Sequence, residues 1–246
     1  MRLTVLGGAG GFPPAAGACS GYLIEHDGAR LLVDPGYAIV PRLLRIVPAA
    51  AIDAVLVSHG HPDHVADLNP LLRARLMQDD AAPRLTAFSL PDALGPVLAL
   101  DQIRAMKSAC DVHEFEAGEA FTVGPFQIES RPLPHSIPNA GIRISASGRS
   151  ITYTGDAGPS DDLVDLAGGT DLLLAEATYV ETVPTGNAGV LNCALDVGRQ
   201  ARRAGAARLI LTHLLPGTDP EASRAAAARS YGDWIGVASG GVMVDL

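Results

Sequence analysis

Short apolar runs rich in Val, Ile and Leu, each closed by Gly, Pro or Asp, predict strands near residues 2–6, 20–26, 29–34 and 54–58. Asp27-Gly28 falls between the second and third runs and predicts a tight hairpin, because glycine takes the positive φ such a turn demands. Ser147-Gly148 repeats the signal. Helical spacing of Ala, Leu and Arg predicts helices at about 37–47, 64–77 and 91–109, with Pro70 and Pro96 limiting where a helix can run on. The stretch 112–154 is strand-rich, with turns at 116–119, 123–125 and 147–148, and is followed by strand 171–176, helix 192–204, strand 208–212 and helix 220–231. A closing pair of strands, 235–238 and 242–246, completes the pattern. Two halves that each run strands first and helices later predict an α/β (α+β) fold, with two mixed sheets face to face and helices outside: a four-layer αββα sandwich. No internal repeat or low-complexity linker divides it, so residues 1–246 are expected to form one domain.

Composition narrows the setting. With 48% apolar and 18% charged residues, the 246-residue chain can bury a substantial core. Apolar runs such as 49–52 and 209–211 fall far short of the roughly 20 residues a membrane span needs, and no charged leader precedes the first strand. A soluble, cytoplasmic protein without a membrane partner is expected. Cys19, Cys110 and Cys193 are widely separated and odd in number, which suggests neither a disulfide framework nor a thiolate zinc site; they read as buried small residues. The net charge of -9 disfavours a broad nucleic-acid groove, since Lys and Arg supply most non-specific affinity for phosphates. Arg42, Arg45, Arg73, Arg75, Arg104 and Lys107 read as dispersed, solvated charges.

The chemistry concentrates in Ser58-His59-Gly60-His61-Pro62-Asp63-His64, where four metal-type ligands occur within six positions directly after an apolar run. Imidazole nitrogens and a carboxylate oxygen suit Zn²⁺, and Gly60 and Pro62 favour a tight non-helical turn that points neighbouring ligands in different directions. His59, His135, Asp156 and His213 each follow a strand-like run, and strand ends on one edge are where layered α/β folds build sites. One cluster is therefore expected. His26 and His113 lack ligand-rich neighbours and read as surface or structural residues. Gly7–Gly11 lacks Gly-x-Gly-x-x-Gly spacing and is followed by Pro13-Pro14, so it reads as a tight turn near the metals rather than a dinucleotide loop. Asp67, three residues past His64, is a candidate to hydrogen-bond a ligating imidazole.

These residues resemble the metallo-β-lactamase superfamily, whose His-x-His-x-Asp-His loop is matched by His59 through His64. The resemblance is nearest to the branch of ribonuclease Z and related phosphodiesterases, through Leu6-Gly7-Gly8-Ala9-Gly10-Gly11, Leu174-Ala175-Glu176-Ala177-Thr178 and Ile210-Leu211-Thr212-His213. It implies two zinc ions, with Mn or Fe as alternatives: one on His59, His61 and His135, a second on Asp63, His64 and His213, and Asp156 bridging both. It also implies a hydroxide shared between them as nucleophile, Asp63 and Glu176 as catalytic carboxylates, and a possible homodimer. One departure matters. Where ribonuclease Z carries a His-Ser-Thr segment whose histidine pairs with the glutamate as a proton donor, this chain has Gly189-Val190-Leu191-Asn192-Cys193.

Three functions compete at this point. A dinuclear-zinc phosphodiesterase acting on a small cyclic or linear phosphodiester, or on an RNA end, is first. Hydrolysis of a carboxylic substrate such as a lactone or thioester by the same hydroxide is second. A non-hydrolytic iron protein or binding module is third, and the full set of seven ligand positions argues against the binding module.

Overall fold

The computed structural model describes residues 1–77, 82–100 and 109–246. One seven-stranded sheet has the order β14-β1-β2-β3-β4-β5-β6, formed by Met243–Asp245, Arg2–Gly7, Gly21–His26, Ala29–Val33, Ala54–Leu56, Leu85–Ser89 and Cys110–Glu114 respectively. The second sheet has the order β13-β12-β11-β10-β9-β8-β7, formed by Trp234–Val237, Arg208–Thr212, Leu172–Glu176, Arg149–Tyr153, Ala140–Ala146, Phe126–Pro132 and Ala120–Val123. In each sheet hairpin-linked antiparallel strands give way to parallel ones, β3 to β6 in the first and β10 to β13 in the second.

Alternation along the central strands builds three apolar layers. Leu31 and Val33 of β3 and Leu172 and Leu174 of β11 meet between the sheets, with Ile142, Ile144 and Tyr153. Leu32 faces the other way, onto Leu43 of helix α1 (Val40–Leu43) and Leu68, Leu71 and Leu72 of α3 (Leu68–Leu76). Leu173 and Ala175 face α5 (Asp161–Leu166), α6 (Ala194–Ala204) and α7 (Pro220–Ala228). The αββα sandwich expected from the sequence is thus the observed architecture. Both hairpin signals also hold: Asp27 and Gly28 have φ of 48° and 84°, Ser147 and Gly148 of 48° and 76°.

Several elements differ from the sequence reading. Residues 234–237 and 243–245 do not pair with each other; β13 extends the second sheet beside β12, while β14 crosses to the first and pairs with β1. Strand β5 was not expected, although its burial alternates strictly. The helix expected over 64–77 is two, α2 (Pro62–Val65) and α3, because Pro70 fits only the first turn, where its missing N–H is not needed. Of the helix expected over 91–109, a single turn, α4 (Gly95–Leu98), is seen, and residues 101–108 with Arg104 and Lys107 lie outside the described residues. Arg75 is buried rather than solvated; its guanidinium donates to the carbonyls of Ala49, Ile52 and Pro83. Among the described residues no helix is long and apolar enough to cross a membrane.

Candidate metal centre

Strands β3, β4, β8, β10, β11 and β12 all run toward one edge of the sandwich, so the residues after them converge there. His59 follows β4, His135 follows β8, Asp156 follows β10 and His213 follows β12. The His59–His64 loop closes into α2, with Pro62 at its start and Asp63 and His64 in its single turn. His213 has φ of 57° and Asp34, after β3, has φ of 50°. Such backbone is uncommon for residues with a Cβ, and here it reverses the chain as each strand ends.

All seven ligand-type residues named from the sequence come together. His59, His61, His135 and Asp156 form one group, and Asp63, His64, Asp156 and His213 a second; within each, the donor atoms lie within 4.8 Å of one another. In the first, Nε2 of His59 and Nε2 of His135 each stand 3.1 Å from Nδ1 of His61 and 3.8 Å from Oδ2 of Asp156. In the second, Nε2 of His213 is 3.1 Å from Oδ2 of Asp63 and 3.2 Å from Oδ2 of Asp156, while Nε2 of His64 is 3.7 Å from Asp63 and 3.2 Å from Oδ1 of Asp156. Four N and O donors held tetrahedrally at about 2.0–2.2 Å from one ion stand about 3.4 Å apart. Nε2 of His64 and Oδ1 of Asp156 are buried without a hydrogen-bond partner despite their closeness. Spacing, donor chemistry and these two orphaned atoms all fit a divalent metal in each group.

Hydrogen bonds on the far side of the rings aim four of the five imidazoles. His64 donates from Nδ1 to Oδ2 of Asp34 at 2.7 Å. His59 donates from Nδ1 to Oγ of Ser58 at 3.0 Å, and that hydroxyl donates to Asp34 at 2.6 Å. His135 donates from Nδ1 to the carbonyl of Val190 at 2.9 Å, and His213 from Nδ1 to Oγ1 of Thr178 at 2.9 Å. Each bond leaves Nε2 as a lone pair facing the cluster, which is the tautomer a metal ligand needs. Asp34 also accepts from the amide of Ser58 and the hydroxyl of Tyr153, a residue of the opposite sheet. It was not singled out in the sequence, although it ends a strand run as the ligands do. Asp67 does not play this part: its carboxylate accepts from the amide of Val40 at 2.8 Å, at the start of α1.

The Gly7–Gly11 turn does approach the cluster. The amide of Gly11 donates to Oδ2 of Asp63 at 2.7 Å, and a Cβ at Gly10 would lie 2.6 Å from the His213 ring, so only glycine fits. Glu176 is fully buried, and its carboxylate accepts from Thr178 and Asn192. Cys19, Cys110 and Cys193 are buried and unpaired, and burial pushes the Cys19 and Cys110 thiols up to about 12 and about 11. His26 meets Ser147, and His113 stacks on Phe88.

Without a metal, charge is shared unevenly. Burial, then the charge of His64, holds His59 well below the usual imidazole range; burial and His135 lower His61. Burial also opposes charge on His64 and His213, but Asp156, together with Asp34 for the first and Asp63 for the second, outweighs it and raises both. Asp63 and Asp156 would be raised by burial, yet His213 and His64 pull them below the usual carboxylate range.

The β-lactamase superfamily domain model matches residues 29–214, three quarters of the chain, with the cluster inside that span. The chain belongs to this superfamily. Among superfamily members, the probable metallo-hydrolase YhfI of Bacillus subtilis is 34% identical over 216 residues, covering 87% of each chain. The crystal structure of the metallo-β-lactamase fold protein YhfI from Bacillus subtilis superposes with a TM-score of 0.90 at 31% identity, covering 99% of both chains. A ribonuclease Z of Mycobacterium bovis is 28% identical over 270 residues, covering 96% of this chain and 95% of its own. Human tRNase Z, short form, shares the fold with a TM-score of 0.78 at 21% identity, covering 100% and 99% of the two chains.

Proposed function

We propose that this superfamily member is a dinuclear metal-dependent phosphodiesterase, with His59, His61 and His135 holding one ion, Asp63, His64 and His213 the other, and Asp156 facing both. The observation that carries this reading is the convergence of seven ligand-type side chains on two adjoining groups with Asp156 common to both. Zinc suits the nitrogen-rich donor set; manganese and iron are accommodated by the same ligands. Ions bound there would polarise a phosphoryl oxygen and lower the pKa of a water to roughly 7, supplying a nucleophile at neutral pH. The chain itself supplies alignment: Asp34 braces one histidine of each group, and Gly11 holds Asp63.

A small diester is favoured over a nucleic-acid chain. A cavity of about 720 Å³ opens beside His135, walled by Leu90, Leu133, Ile137 and prolines. Its charged lining consists of the Asp92 and Glu116 carboxylates, with no Lys or Arg among the described lining residues. Carboxylates there repel a run of phosphates, in keeping with the net charge of -9. The similarity to ribonuclease Z supports phosphoryl rather than acyl chemistry, and the lactone or thioester alternative is the one to test against it.

Elemental analysis together with turnover of bis-p-nitrophenyl phosphate and of a simple lactone, each with a chelated control, tests the proposal. Two zinc ions per chain and chelator-sensitive diester cleavage are expected. Lactone cleavage without diester cleavage transfers the site to acyl chemistry, and a protein that binds no metal removes the reading. Asp34→Asn is expected to weaken zinc binding about 10- to 100-fold, the usual scale for losing an outer partner of a metal-binding histidine. Asparagine tolerates the φ of 50° at this position, so the loss reports the carboxylate and not the backbone. A zinc titration against a competing chelator measures it, and unchanged affinity excludes Asp34 from the site.

A further inference from the structure

Strand β11 ends at Glu176, and among the described residues the hydrogen bonds of this buried carboxylate all come from one loop. Oε2 accepts from the amide of Thr178 at 2.9 Å and from its hydroxyl at 3.0 Å, while Oε1 accepts from the amide of Asn192 at 2.6 Å. Thr178 begins the loop and Asn192 ends it. Its neck is closed just beyond Glu176 by the amide of Tyr179 on the carbonyl of Asn192 and the amide of Ala194 on the carbonyl of Tyr179. A single carboxylate therefore grips both ends of a fifteen-residue excursion, residues 178–192.

That loop touches the cluster twice, once in each group. Thr178 Oγ1, whose proton goes to Glu176, receives Nδ1–H of His213; the carbonyl of Val190 receives Nδ1–H of His135. Val190 stands in the segment where the family's proton-donating histidine is missing, and it contributes backbone only. The C-terminal end of the loop is seated against Gly158, where a Cβ would come within 2.2 Å of the Gly189 carbonyl oxygen and 2.9 Å of the Val190 amide. The amide of Gly158 in turn binds the carbonyl of Pro134, the neighbour of His135.

We infer that Glu176 is a positioning residue that clasps loop 178–192 at both ends and thereby sets the tautomer and aim of one histidine in each metal group, rather than passing a proton to the leaving oxygen. Its acceptor positions are engaged by three donors within the loop, and each imidazole is reached through a loop atom. The last link, from imidazole aim to metal, rests on the metal reading of the cluster; the clasp itself does not.

The test compares Glu176→Gln, Thr178→Val, Thr178→Ser and Gly158→Ala with the wild-type protein. Glutamine keeps the shape but turns one acceptor into a donor facing an N–H. Hydrogen exchange at the amides of Thr178, Asn192 and the loop between them is expected to quicken about tenfold or more in Glu176→Gln, in metal-free and zinc-loaded protein alike. Zinc affinity should fall about 10- to 100-fold. Hydrolysis should slow by one common factor across p-nitrophenyl and phenyl phosphodiesters. Thr178→Val should weaken zinc binding and Thr178→Ser restore it. If Glu176→Gln does not fold, Gly158→Ala decides, since lifting the Gly189-Val190 segment from His135 with Glu176 intact should likewise weaken zinc binding. Unchanged exchange in metal-free Glu176→Gln overturns the clasp. A rate loss that grows with leaving-group pKa, at unchanged zinc affinity, returns Glu176 to proton transfer. If zinc binds to none of the proteins while exchange still quickens, the metal reading fails and the clasp stands.

Discussion

Asp156→Asn is expected to lower kcat/KM for bis-p-nitrophenyl phosphate by at least about 10³-fold, equivalent to about 4 kcal/mol of transition-state stabilisation. Among the described residues its carboxylate is the one common to both groups: Oδ2 faces His59, His135 and His213, and Oδ1 faces His64. An asparagine keeps one acceptor oxygen but places an amide N–H₂ against a histidine lone pair, and it removes the charge that would offset the proposed pair of cations. Zinc content should therefore fall below two ions per chain in the same preparation. Size and backbone are unchanged, so a folded variant with full metal and near-normal turnover would exclude Asp156 from the centre.

The second large effect is expected from chelation. A ligand that binds only the folded state at about 1,000 times its Kd stabilises by about 4 kcal/mol, and for a chain of this size each kcal/mol moves Tm by about 2–4 °C. Chelated protein should thus melt about 8–16 °C lower at pH 8. The gap should narrow at pH 6. His64 and His213 are raised when no metal is present, so they stabilise the metal-free fold below the unfolded imidazole value and lose that contribution as pH rises through their folded values. A metal must displace those protons, so its own contribution grows in the opposite direction. Asp63 and Asp156 are lowered, and their share is lost only as pH falls below the ordinary carboxylate range. Melting curves with and without chelator at the two pH values test this, and a gap that is absent or wider at pH 6 contradicts it.

Much of the convergence of the candidate site was legible because its ligand-type residues announce themselves locally. Four of them crowd His59 to His64, and the other three each sit directly after an apolar strand run, which in a layered fold means one edge. The αββα layering was legible for a related reason: strands buried on both faces, such as Leu31–Val33 and Leu172–Leu174, read as unbroken apolar runs flanked by helical patterns. The partition of those runs was not. Residues 234–237 and 243–245 look like a hairpin pair in sequence, yet they join different sheets because pairing is decided by which edge strand is free, β12 or β1.

What the sequence determined by itself is the set of ligand-type side chains, the fold class and the close approach of the glycine turn, since each depends on residue type or on spacing within a few positions. Only the tertiary structure decided which carboxylates support the ligands. Asp67 lies three positions past His64 and Asp34 lies far from the cluster in sequence, yet Asp34 reaches His64 and Ser58 whereas Asp67 turns to the amide of Val40. Glu176 and Val190 likewise acquire their relation to His213 and His135 only when the 178–192 loop folds back on the edge of the sheet. Hydrogen bonds of this kind span as many as 119 positions along the chain and depend on a few tenths of an ångström, a scale set by packing rather than by composition.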